Sequence, residues 1–284
     1  MTVVIPVWGS YVELLPQAVA SAHDGGLAPH VIIVDNASEP PVDPPDGCEL
    51  ARSHVRLSRG AARNLGLSFV RTEYVVFLDA DDLLLPGALS RLVDGLEGCR
   101  DLQAFVGAIV ESDGTPHRIP RVLARILARA SRPFAWLNAI WSQLPTQGCA
   151  VMRTQAVRDC GGYPDASDGE DWVLGASLAF RGRIAFDREP VLVYRLRPDS
   201  PGADDTPPSR VLFARATRVR GRLRTDPRIR AGRLAVSVLA VVQVLAVVVV
   251  RPLVRGTRAA RARVLETFGS RDSSTAAGPT DATC

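Results

Sequence analysis

"VVFLDADDLL", residues 75–84, runs four apolar residues into three carboxylates within four positions, Asp79, Asp81 and Asp82. The apolar run reads as a buried strand, because it lacks the polar alternation of a half-exposed one. A core strand can stop at a turn without stacking negative charge there, so the cluster needs a cause. Two causes stand open. Pro86 would open a helix with Leu89, Leu92, Val93 and Leu96 on one face, and acids just before a helix satisfy its free amides and oppose its dipole. Capping needs one acid, however, and three clustered carboxylates repel one another unless positive charge neutralises them. A hard divalent ion carrying a diphosphate is the natural occupant.

Working outward, "TVVIPV" (2–7) is a compact apolar strand, and Tyr11, Leu14, Leu15, Ala18, Val19 and Ala22 follow at helical spacing. "HVIIVD" (30–35) is a second strand, so strand, helix and strand make a parallel crossover unit. A Pro-rich loop, a helical segment "RGAARNLGLSFV" and the strand "EYVVFLD" continue the pattern. The expected fold class is α/β with a mostly parallel central sheet flanked by helices. In such sheets ligands sit beyond the carboxyl ends of strands, where Asp35, Asp79, Asp81 and Asp82 all fall. No G-x-G-x-x-G follows the first strand, which disfavours a dinucleotide site.

Composition narrows the class. A chain of 284 residues, 46% hydrophobic and 23% charged, is that of a folded protein with one sizeable core. Its five cysteines have no paired short spacing, so neither a zinc site nor a disulfide framework is indicated, and a reducing compartment fits. His23, His30, His54 and His117 lie in unrelated contexts without ligand spacing. The opening residues read as a strand and not as a secretory signal.

The net charge of +4 is local: residues 210–263 hold many Arg and few acids. Residues 210–233 set Arg215, Arg218, Arg222 and Arg233 among Val211, Leu212, Val219 and Leu223, which predicts a basic amphipathic helix for an anionic membrane surface. Nucleic acid is disfavoured, since no recognition motif or aromatic platform accompanies the Arg residues. "LAVSVLAVVQVLAVVVV" (234–250) would make a helix ~26 Å long, short for a bilayer core, bracketed by Arg233 and Arg251 as interfacial anchors. Spanning the bilayer and lying in its interface both remain open. The expected organisation is an α/β domain over 1–205, a basic juxtamembrane segment over 206–231, a hydrophobic membrane-associated helix over 232–254, and a basic then polar tail over 255–284. The expected location is the cell membrane, with the α/β domain facing the cytoplasm.

Five motifs in order resemble the family 2 glycosyltransferases of the GT-A fold: "VVIPVWGSYVELLPQAVAS", "VIIVDNAS", "GAARNLGL", "VVFLDADD" and "GGYPDASDGEDWVLGASLAFRG". The resemblance covers roughly residues 2–200. It implies an inverting transfer from a nucleotide-sugar donor, often a uridine one, to a glycan or lipid-linked acceptor. Residue by residue, it implies that Pro6, Asp35, Arg63, Asp79 and Ala80 surround the nucleotide, Asp35 at the base and Asp79 near the ribose. Asp81, with Asp79, would bind a divalent cation, Mn2+ or Mg2+, on the diphosphate. Asp171 would be the general base, Glu170 an acid orienting the acceptor, Trp172 a sugar-stacking face or pocket wall, and Gln147 and Gly148 would lie on a strand of the acceptor side. On local sequence alone, Glu170 and Asp171 equally suit the cap of the helical run that follows, with Trp172 in the core.

Two departures stand out. Asn36 follows Asp35 where the family often has a second acid. In "YRLRPDS" (194–200), Arg197 stands where the family often has a metal-binding His, and Arg cannot ligate a cation. Either Arg197 reaches the diphosphate directly, which would lessen metal dependence, or the segment is a solvent-facing turn and water completes the metal shell. A membrane-tethered module that binds sugar nucleotides or glycans without turnover is the alternative function. A nucleotidyltransferase fits "GEDW" poorly.

Overall fold

The computed structural model describes residues 1–23, 25–115, 131–142, 146–195, 209–226, 233–245 and 248. The strands β1 (Thr2–Val7) and β2 (His30–Asn36) lie parallel, with Val4 opposite Ile32. Between them run a 3-10 turn, Gly9–Leu14, and the helix α1 (Leu15–His23), which buries Leu15, Ala18, Val19 and Ala22. Tyr11 therefore falls outside the helix expected to carry it. β3 (Cys48–Ser53) pairs in parallel with β2, and β4 (Tyr74–Phe77) in parallel with β1, joined by α2 (Arg59–Phe69). All six residues of β1 are buried, which is why its sequence is a continuous apolar run.

Beyond β4 the sheet becomes mixed, a departure from the mostly parallel sheet expected. β5 (Leu83–Leu84) and α3 (Ala88–Glu97) follow the acid cluster; β6 (Leu102–Glu111), α4 (Ser131–Ile140), β7 (Ala150–Arg153) and α5 (Thr154–Asp159) come next, then α6 (Glu170–Arg181) and β8 (Arg183–Tyr194). β7 is antiparallel to both β4 and β6, β8 is parallel to β6, and β5 is antiparallel to β8. The strand order is β3-β2-β1-β4-β7-β6-β8-β5. Short β7 supplies two antiparallel pairings that period and length could not reveal.

α3 resolves one open question. It starts at Ala88, two residues after Pro86, and its N-cap is Gly87 in the left-handed region (φ 71°) with no side-chain cap. The acids of 79–82 do not cap it, so the capping explanation fails.

At the carboxyl-terminal end, α7 (Ser209–Thr225) and α8 (Arg233–Leu245) form a second cluster on α6. Ala216, Val219 and Leu223 pack with Trp172, Val173, Ala176, Ala139 and Leu239. The apolar stripe of α7 expected to face lipid is thus covered by protein, because α6 offers it a complementary apolar face. Its arginines bond within the chain as well: Arg222 to the Cys160 carbonyl, and Arg215 and Arg218 to Asp168. Asp226, just past α7, pairs with Arg181 at 2.5 Å. α8 docks one face through Val236, Leu239 and Gln243, whose amide donates to the Ala139 carbonyl at 2.7 Å. Its other face leaves Val238, Val241, Val244 and Leu245 exposed, with Val248 beyond. Among the described residues, no helix is long and apolar enough to cross a membrane.

Candidate active site

At the carboxyl ends of β1 and β4 opens a cavity of about 410 Å³, lined by Pro6, Trp8, Tyr11, Arg56, Arg59, Asp79, Ala80, Asp81, Ser167, Asp168 and Tyr194. The sheet produces it directly: parallel strands end together, and the chain must turn outward there. β4 stops at Phe77, and the Asp82 amide closes a turn on the Asp79 carbonyl at 3.0 Å. Arg195 fastens this turn from the end of β8. Its Nε donates to the Asp81 carbonyl, Nη2 to the Ala80 carbonyl at 3.4 Å, and Nη1 to Gln17 Oε1 at 2.6 Å. Asp82 points inward, 1% exposed, accepting the Arg195 amide at 3.3 Å. Burial, with Asp79 and Asp81 adding repulsion, raises its carboxyl well above the usual range.

The segment "ARNLG" places three groups from one helix. Arg63, buried, bridges two carboxylates: Nη2 meets Asp79 Oδ1 at 2.6 Å and Nη1 meets Glu170 Oε1 at 2.7 Å. Burial disfavours its charge, but Asp79, Tyr163 and Glu170 together hold the guanidinium above its ordinary pKa. Asn64 clamps the Tyr163 backbone, accepting its N–H and donating to its C=O, both at 2.9 Å. Gly66 lets α2 lie on the sheet: a Cβ there would stand 2.3 Å from Val4 Cγ1 and 2.8 Å from Val34 Cγ2. Gly60 gives the 164–166 loop close approach to α2: a Cβ there would stand 1.9 Å from the Pro164 carbonyl oxygen, and its amide donates to the Ala166 carbonyl at 2.9 Å.

"GEDW" opens α6 behind Gly169, whose φ of 70° suits glycine. The two acids occupy the first turn, where the dipole favours them, and Glu170 joins the polar network through Arg63. Asp171 Oδ1 accepts the Trp172 amide at 2.7 Å. Burial, then the neighbouring Glu170, pushes the Asp171 carboxyl up to about 6, with Arg63 opposing. A carboxylate so placed is matched to taking a proton near neutral pH.

Several residues stand elsewhere than expected. Glu170 is 3% exposed and spent on Arg63, with Arg59 3.6 Å away, so it braces that guanidinium and does not face an acceptor. Trp172 is 6% exposed, its Nε1 donates to the Asn138 carbonyl at 2.5 Å, and its ring belongs to the α6–α7 core; it is not a sugar-stacking face. Asp35 is fully buried: Oδ1 accepts the Ser38 amide at 2.9 Å, Oδ2 accepts the Val42 amide at 3.2 Å, and Arg52 lies 3.4 Å away. It closes the loop after β2 and does not line the cavity, so it is not presented as a nucleobase contact. Gln147 and Gly148 precede β7 in a turn instead of lying on the strand. Gly148 gives close approach to Leu78 and Leu192, while Gln147 Nε2 reaches the Asp171 carbonyl at 3.5 Å. Arg197 lies outside the described residues.

Asp79 and Asp81 line the cavity and offer the hard oxygen donors that Mg2+ or Mn2+ prefers, though Asp79 also holds Arg63. Among the described residues no three His, Cys, Asp or Glu side chains gather into a complete cage. The pair fits the kind of site in which one or two carboxylates share the ion with substrate phosphates and water.

The family model described as glycosyl transferase family 2 matches residues 2–161. The chain belongs to glycosyl transferase family 2. A pre-mycofactocin glycosyltransferase of Mycobacterium tuberculosis is 32% identical over 183 residues, 60% of this chain and 37% of that protein. The succinoglycan biosynthesis protein ExoO of Rhizobium meliloti is 24% identical over 225 residues, 70% of this chain and 62% of that one. The family 2 chain thus spans well under half of the first relative and about three fifths of the second. Among solved structures, S. aureus TarS 1-349 superposes with a TM-score of 0.56 at 13% identity, covering 81% of this chain and 70% of that one. Its complex with UDP-GlcNAc gives 0.54 at 13%, covering 81% and 71%. These likenesses show the GT-A fold expected from the motifs. The family match ends before "GEDW", so the reading of that segment in this family 2 protein rests on its own geometry.

Cavity residues given no role from the motifs are Trp8, Tyr11, Ser167 and Asp168, inside the five motifs, and Arg56 and Arg59, outside them. Arg56 lies over the Trp8 ring, 4.2 Å from its centroid, and Trp8 meets Tyr11 at 5.1 Å. Trp8 comes straight after β1 and Arg56 three residues past β3, so the rule on strand ends was the signal that could have found both.

Proposed function

We propose that the protein is an inverting glycosyltransferase that moves a sugar from a nucleotide-sugar donor, UDP-linked or another nucleoside diphosphate sugar, to a glycan, cell-envelope or lipid-linked acceptor. The observation that carries this is Asp171, a carboxyl pushed up to about 6 at the start of α6, adjoining Glu170, which Arg63 ties to cavity-lining Asp79. Asp171 takes the proton of the acceptor hydroxyl as its oxygen attacks the anomeric carbon. The bond from that carbon to the diphosphate oxygen breaks on the opposite face, and the nucleoside diphosphate leaves. Asp81 and Asp79 would hold a divalent cation, which when bound offsets the charge of the departing diphosphate. Arg195 keeps their turn in shape.

TarS has been crystallised with UDP and with UDP-GlcNAc, which supports a nucleotide-sugar donor here. The names of the mycobacterial and rhizobial relatives support glycosyl transfer and polysaccharide assembly. The exposed apolar stripe of α8 favours attachment to a membrane surface, with the catalytic body on the cytoplasmic side. Arg197 aimed at the diphosphate would lessen metal dependence, so Arg197→His should increase it.

The test is release of nucleoside diphosphate from a panel of nucleotide sugars, with Mn2+, Mg2+ or chelator, beside Asp171→Asn. Turnover of one donor that the substitution removes supports the reading. Donor binding without turnover on any acceptor would make the protein a binding module instead.

A further inference from the structure

Segment 164–169, which delivers α6 and hence Asp171, is gripped from two sides. On one side α2 holds it: the Gly60 amide donates to the Ala166 carbonyl, Ser58 meets Asp165 at 2.5 Å, and Arg59 Nε donates to the Ser167 carbonyl at 2.8 Å. On the other side stands α7. Arg215 Nε donates to Asp168 Oδ1 at 2.7 Å, and Arg218 donates to the Asp168 carbonyl at 2.7 Å with its charge 3.9 Å from Oδ2. The stem of Arg215 also covers Gly169, where a Cβ would stand 2.6 Å from its Cγ. Asp168 and Ser167 line the cavity, so the grip reaches the site itself.

We propose that Arg215, assisted by Arg218, is a positioning residue that fixes segment 164–169 and thereby sets the place of Asp171; this rests on the reading of Asp171 as the base. Electrostatics agree with the geometry, since the carboxylates of Asp168, Asp171 and Glu170 all favour the charge of Arg215, which burial alone would oppose. The clamp has a further consequence. α7 packs on α8 through Leu223, Val219 and Leu239, and Arg220 donates to Gln243. The helix with the exposed apolar stripe is therefore coupled to the base-bearing segment through α7 and its two ion pairs with Asp168.

The experiment uses the full chain with Arg215→Gln, which keeps the stem over Gly169 and removes the charge, together with Arg215→Lys and Arg218→Gln. Amide hydrogen exchange over 164–171 should speed up about tenfold in Arg215→Gln while β1, β2 and α7 stay protected. The kcat should fall about tenfold with the donor KM nearly unchanged, and Arg215→Lys should recover part of it. Unchanged exchange over 164–171 would overturn the proposal, as would loosening across the whole protein or an unaltered kcat in a protein whose loop has loosened. If the wild type turns over no donor, the base reading fails separately, and the exchange data alone decide the clamp.

Discussion

Replacing Asp171 with Asn should stabilise the protein at neutral pH while removing transfer. Burial and Glu170 move this carboxyl from 3.8 to about 6, so the folded state holds the proton more tightly than the unfolded chain does. Above pH 6 both states are ionised, and folding bears the full cost of the buried charge. A shift of that size corresponds to about 3 kcal/mol at 1.36 kcal/mol per pH unit. Between pH 6 and 4 the folded state takes up its proton and the cost fades; below 4 both states are protonated and it vanishes. Asn removes the charge yet keeps an oxygen for the Trp172 amide, which Asp171 now accepts at 2.7 Å. Urea unfolding of both proteins at pH 8 should show Asp171→Asn more stable by about 3 kcal/mol, and at pH 4 by less than about 1 kcal/mol. Comparing the two proteins at each pH cancels the titrating groups that do not interact with Asp171; Glu170, its charged neighbour, does interact. Equal stability at pH 8, or a gain of the same size at pH 4, would refute the claim that this carboxylate is held charged against its environment.

Six other substitutions, in four experiments, probe the rest of the framework. Trp172→Ala should cost about 3–5 kcal/mol in urea unfolding, because it empties a core position; a protein that stays as stable but loses acceptor affinity would restore the stacking role. Gly66→Ala should cost about 1–3 kcal/mol, since its methyl would enter the space of Val4 and Val34. Arg63→Met should cost about 3–5 kcal/mol by stranding Glu170, and adding Glu170→Gln should return part of it in the same assay. Val241→Asp with Val244→Asp should abolish flotation with phosphatidylserine vesicles while changing stability by less than about 0.5 kcal/mol per site, as both side chains are exposed; unaltered flotation would remove α8 from the contact.

The strands were legible because buried parallel strands need unbroken apolar runs: β1 coincides with "TVVIPV", and β2 exceeds "HVIIVD" by one residue. Asp79 and Asp81 were legible because carboxylates at a strand end have few structural excuses, and both line the cavity; Arg63, expected beside the nucleotide, is buried between Asp79 and Glu170 and does not line it. Pairing direction was not. β7 and β5 are too short to show a period, and nothing local marks them as antiparallel. Glu170, Asp35 and Trp172 were misplaced for a common reason. A motif fixes which residues come near a site, but each of these side chains has a partner far along the chain or in an adjacent loop: Arg63, the amides of 38 and 42, and the Asn138 carbonyl. The arginines of α7 illustrate the same point, since the pattern that suits a lipid surface equally suits a helix bound to Asp168 and an apolar face of α6.

The central claim is direct displacement at the anomeric carbon with Asp171 as base, and the anomeric configuration of the first-formed product tests it most directly. Proton NMR during turnover of an α-linked donor should show a β-linked product from the wild type and none from Asp171→Asn. An α-linked product, or unimpaired transfer by the Asn variant, would contradict the account.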